Sequence, residues 1–236
     1  MIVGYSAQQL RDAEAPHLAA GEPLMQRAAV ALAREIDALL PEPSADAGAE
    51  PARILVLVGS GNNGGDALFA AATLADSGCD VAIISVGSRV HEAGLQAALA
   101  AGARREDAQS GADAARLAAT SAVIVDAILG TGTGANPALR GRAREFVSAI
   151  LPVVAVVDGP IVVAVDIPSG IGPDDGSVPD LTVLPADVTV TFGGYKAGLL
   201  LEPAARLAGE VHLVDIGLAD DLARMEPLVR HTRGRG

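Results

Sequence analysis

The sequence of 236 residues predicts an α/β fold with a mainly parallel central sheet and helices on both of its faces. Short, unbroken apolar runs such as Ile54-Leu55-Val56-Leu57-Val58 alternate with alanine-rich stretches of helical length. Strands that are apolar at every position are buried on both faces, as in parallel sheets. That run passes directly into Gly59-Ser60-Gly61-Asn62-Asn63-Gly64-Gly65-Asp66 and then into an alanine-rich segment, Ala67 to Ala75. Strand, glycine turn and helix succeed one another there. Half of the residues are apolar but only 2% are aromatic, so the core must be Val, Leu, Ile and Ala.

The elements can be taken in chain order. Gln8–Ala20 and Pro23–Leu40 read as two N-terminal helices, and Pro41–Pro51 as a polar linker. Ile54–Val58 is the first strand, with its helix running to about Ser77. Val81–Val86 is the second strand, followed by helices at His91–Ala101 and Ala112–Ala119. Ala122–Asp126, Ile161–Asp166, Asp187–Phe192 and Val211–Asp215 complete the strands. Pro152–Gly159 is open: it is either a strand forming a hairpin with Ile161–Asp166, or the end of a helix beginning near Arg142. Pro227–Gly236 is basic, without periodic pattern, and reads as a tail or a linker. A single domain over residues 1–220, with 221–236 as tail or linker remnant, fits this length.

Bulk properties remove several classes of function. The formal net charge of −12 argues against a nucleic-acid partner, which wants a basic surface. The single cysteine, Cys79, cannot form an internal disulfide, which suits a reducing cytoplasm. The N-terminus has no basic and apolar leader pattern, and no apolar run reaches the ~18 residues that span a bilayer. The four histidines, His17, His91, His212 and His231, are too scattered for a His/Cys metal site. A cytoplasmic protein without membrane contact is expected.

In open parallel sheets, ligands bind beyond the carboxyl ends of the strands. The first strand ends in Gly59–Asp66, where bare N–H groups at a helix N-terminus favour an anion and glycines let it approach. The third ends in Asp126, followed by Ala127-Ile128-Leu129-Gly130-Thr131-Gly132-Thr133-Gly134. The fourth ends in Asp166-Ile167-Pro168-Ser169-Gly170, and the fifth in Gly193-Gly194-Tyr195-Lys196. Lys196 is the only lysine in the chain. Four such loops on one edge point to a site for a phosphorylated small molecule. The second strand ends in Ser85-Val86-Gly87-Ser88-Arg89, without the acid that holds a ribose in an ordinary dinucleotide-dependent dehydrogenase. A Gly-Lys-Ser/Thr ending, which a phosphoryl-transferring P-loop needs, is absent from the first loop.

Taken together, Gly61-Asn62-Asn63-Gly64-Gly65-Asp66, Val125-Asp126-Ala127 with Gly130-Thr131-Gly132, Ala164-Val165-Asp166-Ile167-Pro168-Ser169-Gly170, and Thr189–Gly193 with Lys196 and Gly198 resemble the NAD(P)H-hydrate epimerase family, or YjeF N-terminal domain. The resemblance runs from about Ser6 to Leu218. It implies a Rossmann-like three-layer α/β/α sandwich, a homodimer, and interconversion of the R and S epimers of hydrated NADH and NADPH at C6. An ADP- or ATP-dependent dehydratase, in some relatives fused, would then restore the S form. The resemblance implies that Asn62, Asn63, Gly64, Gly65 and Asp66 contact the substrate, with Gly130, Thr131, Gly132, Thr133, Gly134, Ala135 and Asn136 forming a second substrate loop. Asp166 becomes the acid/base candidate that also touches substrate, and Lys196 a second catalytic candidate through charge stabilisation. Asn63, Asp126 and Ser169 would hold a potassium ion, and such oxygen groups suit a hard cation.

The sequence departs from the family pattern in places. Ala67 stands where a third glycine is common, and Met25-Gln26-Arg27-Ala28-Ala29 where Met-Glu-Asn-Ala-Gly is usual. Tyr195 and Ala197 flank Lys196 in place of prolines, and Pro152–Pro160 looks extended. Two other readings stay open at this point: a non-catalytic nucleotide-binding scaffold or sensor of the same fold, and an NAD(P)-linked oxidoreductase.

Overall fold

The computed structural model describes residues 1–40, 51–133 and 136–231. The expected linker at 41–50, Gly134 and Ala135 of the second loop, and residues 232–236 of the expected tail lie outside the described residues.

In chain order the elements are β1 (Ile2–Tyr5), α1 (Ala7–Ala19), α2 (Leu24–Asp37), β2 (Arg53–Val58), α3 (Asn62–Asp76), β3 (Asp80–Ser85), α4 (Glu92–Ala100), β4 (Arg104–Arg105), α5 (Gly111–Ala119), β5 (Val123–Ala127), α6 (Gly141–Val154), β6 (Ile161–Val165), β7 (Val188–Phe192), β8 (Tyr195–Lys196), β9 (Glu210–Val214), α7 (Ala219–Leu222) and β10 (Val229–His231). The main sheet has the order β4-β3-β2-β5-β6-β7-β9. Every pairing in it is parallel.

Alternate side chains of each strand serve two different cores, which is why the runs are apolar throughout. Ile54, Val56 and Val58 pack with Leu32 and Ile36 of α2, Leu68 and Leu74 of α3, and Leu95 of α4. Leu55 and Leu57 pack on the other face with Ala114 of α5 and Phe146 and Ile150 of α6. The result is the three-layer α/β/α sandwich. A smaller core under the β6–β7 connection gathers Ile167, Ile171, Val183 and Leu199.

The chain runs outward from β2 through β3 to β4, then returns to the other side of β2 and runs through β5, β6, β7 and β9. The order therefore reverses between β2 and β5, where a crevice opens at the carboxyl ends. Gly59 sits in it against Ile128: a Cβ at Gly59 would lie 1.8 Å from the Ile128 carbonyl oxygen. Only glycine lets the two loops start this close together.

One open alternative is decided, and two features differ from the sequence expectation. The helical alternative holds for Pro152–Gly159: α6 continues to Val154, and Ala155 N–H still reaches Leu151 O at 3.2 Å, so there is no hairpin. Ile2–Tyr5 forms a strand that sequence patterning did not flag. It pairs parallel with β8 and antiparallel with β10 in a second, three-stranded sheet. The segment expected as a patternless tail thus supplies β10, and the boundary expected at 220/221 falls inside α7. Among the described residues no helix is long and apolar enough to cross a membrane.

Candidate functional site

The crevice at the sheet reversal widens into a cleft of ≈ 680 Å³. Its walls are the glycine loop after β2, the loop after β5, the end of β6, and part of α1 and α2. From the sequence-predicted residues it gathers Asn62, Asn63, Asp66, Gly130, Thr131, Gly132, Thr133, Asn136 and Asp166.

Helix α3 has Gly61 as its N-cap, which offers no side-chain cap, and Gly61, Asn62 and Asn63 at its start line the cleft, so its first N–H groups lie at the cleft wall. A Cβ at Gly61 would meet nothing within 4 Å. Gly64 and Gly65 do not line the cleft. A Cβ at Gly64 would lie 2.7 Å from Gly59 O, and one at Gly65 would lie 3.0 Å from the Met25 methyl. These two glycines let α3 lie close on its own loop and on α2. A bulky residue at Gly64 would report on that packing rather than on a bound phosphate.

Asp166 follows β6 with φ 67, the left-handed region that side chains other than Gly, Asn and Asp seldom enter. Its backbone N–H donates to Val190 O at 2.7 Å. The carboxylate is held by one oxygen. Oδ1 accepts from Phe192 N–H at 3.2 Å, from Thr191 Oγ1 at 3.4 Å, and from the Lys196 ammonium. Oδ2 takes no donor among the described residues.

Lys196 is buried, 3% exposed, and does not line the cleft. Besides Asp166, its Nζ donates to Thr191 Oγ1 and Phe192 O, each at 3.0 Å. All three ammonium protons are thereby engaged. Lys196 therefore touches the cleft-lining Asp166 and not the cleft itself. Its position is fixed by β8, whose Lys196 lies opposite Tyr5 of β1.

The carboxylates around this pair feel one another. Burial pushes Asp66 well above the usual carboxylate range, and the negative charges of Asp166 and Glu14 add to it against the pull of Lys196. Glu14 is raised too, first by burial and also by Asp166, with Lys196 and Arg11 opposing. Sequence reading missed Glu14 and Arg11. Both project from α1 into the cleft, and Arg11 Nη1 donates to Thr131 O at 3.5 Å. Their i, i+3 spacing puts them on one helix face, but only the packing of α1 shows where that face looks.

Beneath the cleft lies a second polar cluster. Asp126 is 1% exposed, and burial raises its pKa while its hydrogen bonds from Ser169 and Ile128 oppose. Ser169 donates to it from Oγ at 2.6 Å and from the backbone at 2.8 Å. Ser169 Oγ accepts from Leu129 N–H at 2.8 Å. Asn63 joins through Nδ2, which donates to Leu129 O at 3.2 Å. The Asn63 Oδ1 is buried with no hydrogen-bond partner among the described residues. A buried acceptor without a donor is costly and needs an explanation.

The altered α2 sequence has a place in the same wall. Met25 lines the cleft. Arg27 pairs with Glu22 at 2.9 Å and donates to Ile216 O at 2.9 Å, and Ile216 also lines the cleft. His17, held above its ordinary pKa by hydrogen bonds to Asp221 and Glu22, ties α1 to α7 in the same corner.

The family model of the YjeF-related protein N-terminus matches residues 21–198. A Clavibacter michiganensis subsp. michiganensis protein named NAD(P)H-hydrate epimerase is 54% identical over 232 residues, covering 98% of this chain and 96% of its own. A Microbacterium testaceum protein of that name is 49% identical over 228 residues, covering 97% and 84%. The bifunctional NAD(P)H-hydrate repair enzyme Nnr of Mycobacterium tuberculosis is 37% identical over 229 residues, or 95% of this chain and 43% of that protein. The crystal structure of the yeast protein YNL200c is similar with a TM-score of 0.70 at 19% identity, covering 84% and 82%, which shows a shared fold. The chain belongs to the family of YjeF-related protein N-termini.

Proposed function

We propose that this chain is an NAD(P)H-hydrate epimerase, an isomerase that interconverts the R and S forms of hydrated NADH and NADPH at C6 of the nicotinamide ring. The names of the relatives at 49–54% identity support the activity. The observation that carries the chemistry is the one-sided grip on the cleft-lining Asp166, whose Oδ1 is anchored while Oδ2 takes no donor among the described residues.

The hydrated ring carries a hydroxyl on C6 next to ring nitrogen N1, a hemiaminal. As the C6–O bond breaks, the N1 lone pair forms a C6–N1 double bond, giving a planar iminium, and the departing oxygen takes a proton to leave as water. Water then adds to the other face and gives its proton back to the protein, so no net proton is consumed. Asp166 Oδ2 is the group placed to exchange that proton, and such help is worth roughly 10²–10⁴-fold. Asp66, its pKa raised first by burial and then by the negative charges of Asp166 and Glu14, is a second acidic group lining the same cleft. The pyrophosphate would lie on the N–H groups at the start of α3.

Asn63 Oδ1, Asp126, Ser169 Oγ and Leu129 O form an all-oxygen set suited to a potassium ion, and the orphaned Asn63 oxygen fits that role. Bound there, the ion would offset the buried Asp126 charge and brace the two loops. A homodimeric state and a cytoplasmic location belong to the same proposal. The bifunctional relatives support a dehydratase as working partner.

Two measurements test this reading. With an S-specific dehydratase in excess, adding the protein should let the R hydrate be consumed as fast as the S hydrate. An unchanged rate for the R form excludes the activity. Potassium should raise the unfolding temperature more than a larger cation at equal ionic strength, because a ligand of the native state stabilises it by mass action. Asn63→Ala should remove that difference; a flat response in the unsubstituted protein leaves the cluster as hydrogen bonding alone.

A further inference from the structure

The proposed activity puts the nicotinamide beside Asp166, at the end of β6, and the pyrophosphate at the uncapped start of α3, beyond β2. One strand, β5, separates these two, so at about 4.8 Å per strand the subsites are about 10 Å apart along the rim. A dinucleotide is longer than that. The next strand in the same direction is β3, and the adenosine half must run toward its end.

There the chain continues as Val86-Gly87-Ser88-Arg89, of which Val86 and Gly87 line the cleft. The turn is tied to the glycine loop. Arg89 N–H donates to Ser60 Oγ at 3.3 Å, and a Cβ at Gly87 would come within 2.2 Å of that hydroxyl. The Arg89 side chain is exposed and meets no carboxylate among the described residues. Ser85 to Val90 contains no acid, and the nearest one in sequence, Glu92, accepts from Gln96 at 3.1 Å. The Ser85 hydroxyl oxygen is buried with no hydrogen-bond partner among the described residues. In dinucleotide-binding sheets an acid at this strand end takes the ribose 2′-hydroxyl, whereas an arginine nearby accommodates a 2′-phosphate. A carboxylate would repel that phosphate, and an arginine grips it through charge-assisted hydrogen bonds.

We propose that the β3–α4 turn, through Ser88 and Arg89, is a subsite for the 2′-phosphate of the adenosine ribose, so that the chain favours the NADPH hydrate over the NADH hydrate. This rests on the functional reading above and deepens it. Arg140, the exposed cation at the start of α6, also lines the cleft but from the β5 side of the sheet reversal. It is the internal control.

The test is calorimetric titration of the intact protein with adenosine 2′,5′-bisphosphate and with 5′-AMP. The bisphosphate should bind about 10- to 100-fold more tightly, as one charge-assisted pair gives. Arg89→Ala should bring the two ligands to within about threefold, and Arg89→Lys should recover part of the gap. Arg140→Ala should weaken both ligands alike. Equal binding of the two probes to the unsubstituted protein overturns the subsite, and so does a ratio that survives in Arg89→Ala. The functional reading fails separately, when the unsubstituted protein accelerates R-to-S conversion of neither hydrate.

Discussion

Asp166→Asn is expected to lower epimerisation by about 10²–10⁴-fold without rearranging the end of β6. Asparagine is one of the few residues that accept a φ of 67, so the backbone keeps its turn. The amide oxygen can still accept from Phe192 N–H, now at 3.2 Å from the carboxylate. The capacity to take and return a proton is lost. Lys196 also loses its counter-charge while it remains 3% exposed, so the unfolding temperature falls as well and activity must be assayed well below it. Asp166→Ala is the poorer variant, because it adds strain at a left-handed position. A measured rate within a few-fold of the unsubstituted protein would take Asp166 out of the proton path and leave Asp66 as the group to examine.

Lys196→Met carries the largest expected cost in stability. The methionine fills much of the lysine's volume, but three acceptors lose their shared donor: Asp166 Oδ1, Thr191 Oγ1 and Phe192 O. Removing one member of a buried ion pair costs about 3–5 kcal/mol, and the residual 15% exposure of Asp166 sets the expectation near the lower end, about 3 kcal/mol. In a domain of this size that corresponds to a fall of about 6–12 °C in unfolding temperature. Combining Lys196→Met with Asp166→Asn should cost less than the sum of the two, since each alone strands the other. Strictly additive losses would mean that the two groups do not stabilise one another.

Much of this site is legible in the sequence because a parallel sheet collects the loops at the carboxyl ends of its strands on one edge. Gly59–Asn63, the loop after Asp126, and Asp166 could each be placed on that edge from strand order alone, and the structure brings them into one cleft. Depth could not be read this way. Gly64 and Gly65 lie in the same motif as Asn62, yet helical rotation turns them onto β2 and α2. Lys196 was legible as a lone lysine near the rim, but its burial under Asp166 depends on β8 pairing with a strand at the other end of the chain. That strand, Ile2–Tyr5, is four residues long and contains a glycine, too short for periodicity to declare. Gly4 is needed there, because a Cβ would sit 2.9 Å from Ala197 Cα. At Pro152–Gly159 composition favoured a strand as much as a helix, and the packing of Phe146, Val147 and Ile150 decided for the helix.

The three-stranded sheet makes the family-matched span and the working unit two different things. A piece cut to residues 21–198 would retain the glycine loops and Asp166. It would leave β8 with no neighbour to hydrogen-bond, since β1 is its partner in that sheet. The ammonium that steadies Asp166 would then hang from a free edge, and the wall bearing Arg11 and Glu14 would be missing. Recognition of the motif and assembly of the site thus draw on different parts of the polypeptide.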